Sequence, residues 1–322
     1  MINCLAVERM DNGKLSLIFR DIFVLASLFA LPLVGLLLAP AVLYLYSRYG
    51  LFTGKRIVLC AFVLAVPLAW WLSSLSVLLL SVTFFAAGLV LAVSASRGDG
   101  PVLSLAKAAL TLAVLWVALL FAASLMTGQN IYQEMATFLQ SALLETAKYS
   151  VDSGASAENQ AAVTEALGQA ARLVPLVLPA ILLIPALLAP FAAILLCNAV
   201  ESLRGLDRRW IDFRLWRLPD FLVWIAIALA VAGRLLDGLP GLVAINALIL
   251  VTLAYAMQGL AMIKFFFNSR RLPVVAQFIL IFLVVSQPYG LWVLAILGLI
   301  EVWADFRRLG RRKPQISNHD KE

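Results

Sequence analysis

Leu75 to Ala95 and Val174 to Leu196 are apolar runs without a single charged residue. At about 1.5 Å per helical residue, a run of about twenty apolar residues covers the hydrocarbon core of a bilayer. Similar stretches lie at Ile22 to Tyr46, Ile57 to Leu72, Leu105 to Leu125, Phe221 to Leu236, Leu242 to Phe267, Val274 to Ser286 and Gly290 to Phe306. Together they predict an all-α, polytopic transmembrane bundle of about nine apolar helices.

The balance of residue types excludes several other classes. Hydrophobic residues make up 63% of the chain and charged ones 13%, against about a quarter charged in soluble domains; the mean hydropathy is +0.97. The formal charge of +7 does not point to nucleic acid, because Lys and Arg cluster between the apolar spans, as topology signals do. Cys4, Cys60 and Cys197 have no CxxC or zinc spacing, and the one histidine, His319, stands in a polar tail beside Asn318 and Asp320. No disulfide framework, metal site or cofactor is expected.

Residues 1–21 form a polar amino-terminal segment with Glu8, Arg9, Asp11, Lys14, Arg20 and Asp21, and the absence of a small-residue cleavage site after the next apolar run argues against a removable signal. Residues 22–125 form an amino-terminal membrane half. Pro32 and Pro40 break its first stretch, leaving a kinked crossing and a short hairpin both open. In residues 126–173, Ile131, Met135, Phe138, Leu139, Ala142, Leu143 and Tyr149 recur at helical spacing, and a second helix follows from Ser156 to Leu173 with a Ser cap and Glu158 in its first turn. This predicts an amphipathic helical hairpin, turning at Asp152 to Ser156, that lies on the membrane surface, caps the bundle or forms a lid over a ligand cavity. Residues 174–309 form the carboxy-terminal membrane half, opened by a crossing that Pro175, Pro179, Pro185 and Pro190 bend. Residues 310–322 are a basic tail.

Every second loop is basic: Arg48, Lys55 and Arg56; Arg97 and Lys107; the five arginines of Asn198 to Asp220; Lys264, Arg270 and Arg271; and the tail. Excess Lys and Arg mark cytoplasmic loops. This predicts a bacterial inner-membrane protein with a cytoplasmic carboxy terminus and an extracytoplasmic 126–173 hairpin.

Chemistry-bearing motifs are few. Gly50-Leu-Phe-Thr-Gly54-Lys55-Arg56 has one residue too few between its glycines for a phosphate loop, and Arg56 where Ser or Thr must meet the magnesium. Neither HExxH nor GxSxG occurs, so no enzyme is expected. The Gly50 to Gly54 spacing also fits a helix-packing GxxxG but falls in an expected loop. Ala26 and Ala30 give a small-residue face where a partner helix could approach. Tyr255 and Gln258 share a helix face, while Asn246 lies on another. Polar groups at membrane depth are candidates for a ligand site, and interhelical hydrogen bonding competes with that reading. Glu301, Asp305 and Arg308 are spaced to form an ion network at a cytoplasmic helix end.

Phe213-Arg-Leu-Trp-Arg-Leu-Pro219, Asn246, Tyr255-Ala-Met-Gln258-Gly259-Leu and Gly298-Leu-Ile-Glu301-Val-Trp303-Ala-Asp305-Phe306-Arg307 resemble the YybS-type family of predicted bacterial membrane proteins, a domain family of unknown function. Leu31-Pro-Leu-Val-Gly35, Ala39-Pro40 and Arg48-Tyr-Gly50 extend the likeness over most of the chain. That family is in turn distantly similar to the substrate-binding S components of energy-coupling-factor vitamin transporters. The resemblance implies a cavity for a small micronutrient-like solute, a membrane coupling subunit against Ala26 and Ala30, and cytoplasmic ATPases as partners. The other function class is a non-transporting scaffold in the lipid bilayer that recruits partners through its basic loops. A reporter fused after Glu322 is expected to read as cytoplasmic, and an extracytoplasmic signal would overturn the loop assignment.

Overall fold

The computed structural model describes residues 12–30, 38–71, 75–151, 157–203, 208–287 and 289–307. Pro32, the Ser73-Ser74 turn, the Asp152 to Ser156 turn with its Ser cap, Arg204, Arg308 and the basic tail with His319 lie outside these residues. Among the described residues there are ten α-helices, one short 3-10 turn and no strand: α1 (Asn12–Ala30), α2 (Leu38–Trp71), α3 (Leu75–Ser96), α4 (Pro101–Thr127), α5 (Ile131–Val151), α6 (Ala157–Leu203), the turn at Phe213–Leu215, α7 (Leu222–Leu235), α8 (Gly238–Ser269), α9 (Val274–Ser286) and α10 (Gly290–Ala304).

Four of these are long and apolar enough to cross a membrane, over Leu79–Ser96, Pro101–Thr127, Gln160–Leu203 and Gly238–Ser269; α9 and α10, bent by 106°, make a fifth if counted together. The sequence led to an expectation of about nine apolar helices. Part of the difference is length: α7, α9 and α10 have 14, 13 and 15 residues, short of the roughly twenty that a straight crossing needs; α1 and α2, the latter broken at Gly50, also stand outside these spans.

The chain divides into two compact units, one of residues Met1–Gln129 and Pro185–Trp210, the other of Asn130–Ile184 and Ile211–Glu322. In the first unit α1 packs on α2, α2 on α3 and α3 on α4. α2 is two helices joined at Gly50, whose φ of 75° and ψ of 168° few side-chain-bearing residues would tolerate. Gly54 therefore lies in a helix, not in the expected loop, and the ring of Tyr46 packs against it. The end of α6 is tied back by Trp210. Its Nε1 donates to the Asp99 carbonyl and to Ser104 Oγ, both at 3.2 Å, and its own carbonyl accepts from Asn198 Nδ2. Beside it, the bond from Lys107 holds the Asp99 carboxyl below its usual range.

The second unit is built on the pair α8 and α10. Their closest approach is at Gly259 and Gly298: a Cβ on Gly259 would stand 2.0 Å from the Leu294 carbonyl oxygen, and one on Gly298 2.0 Å from that of Tyr255. Hydrogen in place of a side chain lets the two backbones touch, the usual device of membrane helix pairs. Around that crossing Val223, Tyr255, Ala256, Leu294, Ala295 and Val302 form a buried cluster, with α7 against α8.

The same unit holds α5 and the first part of α6. The sequence suggested one helix ending at Leu173 and another starting at Val174, yet α6 is continuous across that boundary and through four prolines. Replacing Gly298 by Ala forces the α8 and α10 backbones apart, and a loss of about 3 kcal/mol is expected from overpacking. Detergent melting measures it; an unchanged melting temperature would mean that the crossing is looser than described.

Candidate functional site

Proline has no N–H, so Pro175 cannot bond the carbonyl of Ala171, nor Pro179 that of Pro175. Both carbonyls are taken by side chains of α5: Gln140 Nε2 donates to the Ala171 oxygen at 3.1 Å, and the Tyr132 hydroxyl donates to the Pro175 oxygen at 2.8 Å. Tyr132, Ala136, Gln140 and Ala147 follow one another along a single stripe of α5, with Ala136 and Ala147 buried. The stripe expected from apolar spacing is a different one, and its Phe138 and Tyr149 are exposed. The missed signal was polar: a Tyr and a Gln at eight-residue spacing opposite a proline pair.

Asn246 of α8 completes the repair. Its Oδ1 accepts from the Ala180 N–H at 2.7 Å, and its Nδ2 donates to the Leu176 carbonyl at 2.7 Å and to the Leu242 carbonyl at 2.8 Å. Ala180 and Leu176 are the pair that bond each other in an uninterrupted helix. The Asn246 amide thus meets both halves of a backbone bond next to the proline break, as membrane helices require when prolines free backbone groups.

One turn apart on another face of α8, Tyr255 and Gln258 are both buried. Gln258 Oε1 accepts from the Leu218 N–H at 2.7 Å, and its Nε2 donates to the Gly298 carbonyl at 2.8 Å. It therefore fixes the segment before Pro219 to α8 and α10 where the two helices touch. Tyr255 differs: its hydroxyl is buried without a hydrogen-bond partner.

At the end of α10 the described charges include a pair that spacing did not single out. The helix stops at Ala304, and Asp305 turns left-handed at φ 40°, ψ 50°; Arg308 lies outside the described residues. Glu301, which is buried, accepts from Arg307 Nε at 2.7 Å and from the backbone N–H groups of Phe306 and Arg307. Arg307 Nη1 donates to the Arg214 carbonyl at 2.7 Å. Asp305 instead faces Arg217, at 4.0 Å, while Arg217 also donates to Asp220 and to the Val302 carbonyl. Lys264 lies 5.7 Å above the ring of Phe213, bringing the end of α8 to the same place. Sequence spacing missed Arg307 because the pair closes around a turn.

Elsewhere, Ala26 is buried, and Ala30 is the last residue of the same helix, α1. Among the described residues no three His, Cys, Asp or Glu side chains converge as a metal site would require.

These features define the class as an all-helical membrane protein whose intramembrane polar groups bond largely to backbone. The family described as predicted membrane protein, DUF2232, matches residues 19–302, most of the chain, and the protein belongs to that family. No curated protein and no solved structure matches it.

Replacing Asn246 by Leu leaves the Ala180 N–H and the Leu176 carbonyl to find partners in an apolar setting, where each unsatisfied group costs about 1–3 kcal/mol. Faster hydrogen exchange at the Ala180 amide and a lower melting temperature are expected, and an unchanged Ala180 rate would contradict the bond between Asn246 and the Ala180 N–H.

Proposed function

We propose that this protein is a non-catalytic scaffold of the bacterial cytoplasmic membrane, with its carboxy terminus in the cytoplasm, that presents basic loops to partner proteins. The observation that carries this reading is the state of the two intramembrane amides. Asn246 and Gln258 each bond through both oxygen and nitrogen to backbone groups of neighbouring segments, and this engagement is what interhelical packing by an amide requires. Such bonds contribute roughly 1 kcal/mol each in membrane proteins and set helix register.

One observation favours a second reading, a substrate-binding subunit served by a coupling subunit and cytoplasmic ATPases, as the S-component likeness implies. The Tyr255 hydroxyl, beside Gln258 in the interior, is a buried donor without a partner, and such a group invites a ligand atom. On this reading Tyr255 contacts a small polar solute and Gln258 positions it.

Gln258→Ala separates the two. The scaffold reading expects a melting temperature lowered by about 1 kcal/mol of lost bonding and no small molecule released from either wild type or variant on denaturation. A solute released from wild type alone, by mass spectrometry of protein purified from native membrane, would overturn it in favour of the binding reading.

A further inference from the structure

Arg307 is fully enclosed, with its side chain at 0% exposure. Its Nε is bound to Glu301 and its Nη1 to the Arg214 carbonyl, but its Nη2 has no hydrogen-bond partner. Arg214 has a matching deficit. Its Nε is buried and 3.4 Å from Asp212 Oδ2, yet makes no hydrogen bond. Two residues already joined by a backbone contact therefore each hold an unused guanidinium donor at the same helix end.

The nearby carboxylates give neither nitrogen a hydrogen bond. Both Glu301 oxygens are engaged by Arg307 and by two backbone N–H groups. Asp212 Oδ1 accepts from the Arg214 N–H, and its Oδ2 forms an ion pair with Arg214 Nε without a hydrogen bond; Asp305 and Asp220 face Arg217. Guanidinium N–H groups left without a hydrogen-bond acceptor call for an oxyanion, and the planar fork of arginine matches phosphate in particular.

The surroundings indicate which oxyanion. Trp303 and Phe306 at the end of α10, Phe266 in the last turns of α8 and Phe221 before α7 are all exposed. Exposed aromatic rings at a membrane helix end mark the headgroup level of a bilayer. Lys264 and the exposed Arg270 and Arg271 add positive charge at that level, the pattern that attracts anionic lipid.

We propose that Arg214 and Arg307 form a phosphate site for the headgroup of an anionic phospholipid, with Arg307 as the inner donor and Arg214, whose side chain is 36% exposed, as the movable outer one. The lipid phosphate takes Arg307 Nη2 and the Arg214 fork while its acyl chains lie along the aromatic rim. The site does not depend on the scaffold reading or on the solute reading.

The test uses the full chain in neutral detergent, titrated separately with dioleoyl phosphatidylglycerol, dioleoyl phosphatidylcholine and inorganic phosphate, with binding read by native mass spectrometry and melting temperature. Measurements are made at about 0.5 M salt, where screening within a few ångström suppresses the exposed charges. Wild type is expected to retain phosphatidylglycerol and melt higher with it, and to respond to neither phosphatidylcholine nor phosphate. Arg214→Gln keeps the backbone carbonyl that Arg307 uses, so the fold is expected to survive while lipid affinity falls about tenfold. Arg214→Lys keeps the charge without the fork and is expected to fall nearly as far. The double variant Arg270→Gln, Arg271→Gln is expected to bind as wild type at this salt. Unchanged binding in Arg214→Gln, full binding in Arg214→Lys, an equal loss in the double variant, or stabilisation by inorganic phosphate equal to that by lipid would each overturn the proposal.

Discussion

Hydrocarbon offers no hydrogen bonds, so each backbone N–H and C=O at membrane depth must find its partner inside the protein. α6 carries Pro175 and Pro179 within one turn of each other, and their missing N–H groups would leave two carbonyls stranded. Three residues from two other helices answer them and the adjoining turn: Gln140 and Tyr132 from α5, and Asn246 from α8. The same bonds that permit the prolines therefore also hold α5, α6 and α8 together. In this part of the chain, local helix repair and tertiary assembly are one set of contacts.

A second set closes the far end of α8 and α10. The glycine contact at 259 and 298 brings the two backbones together, Gln258 ties the pair to the segment before Pro219, and the Glu301 and Arg307 pair seals the turn beyond. Enclosing an ion pair sacrifices solvation of both charges, and removing one partner of such a pair typically costs about 3–5 kcal/mol. The pair is therefore better understood as fixing one arrangement than as adding stability. An analogous clamp occurs in the other unit, where buried Glu201 accepts from the N–H and Nε of Arg209. In both places a buried carboxylate near a helix end gathers a backbone N–H and the Nε of one arginine further along the chain.

The helical class, the membrane setting and most helix limits were legible in the sequence, since long apolar runs between Gly, Pro and charged residues admit few alternatives. The α3 and α4 limits and the turn between them, and the limits of α7 to α10, follow such punctuation closely. Prolines misled at the 173 and 174 boundary, because sequence reveals the bonds a proline removes and not the side chains that replace them. Spacing did not single out Arg307, which the left-handed turn at Asp305 delivers to Glu301; Arg308, the expected member of that network, lies outside the described residues.

What the sequence determined by itself is the solvent: span length and the depletion of charge place these helices in lipid, through transfer energies that sum residue by residue. It also marked Asn246 and Gln258 as groups that hydrocarbon would leave unsatisfied. Which backbone atoms satisfy them was decided only by the tertiary structure. A hydrogen bond depends on distance and direction between segments 40 to 70 residues apart, and those are fixed by how closely helices such as α8 and α10 can approach, not by the order of residues along either one.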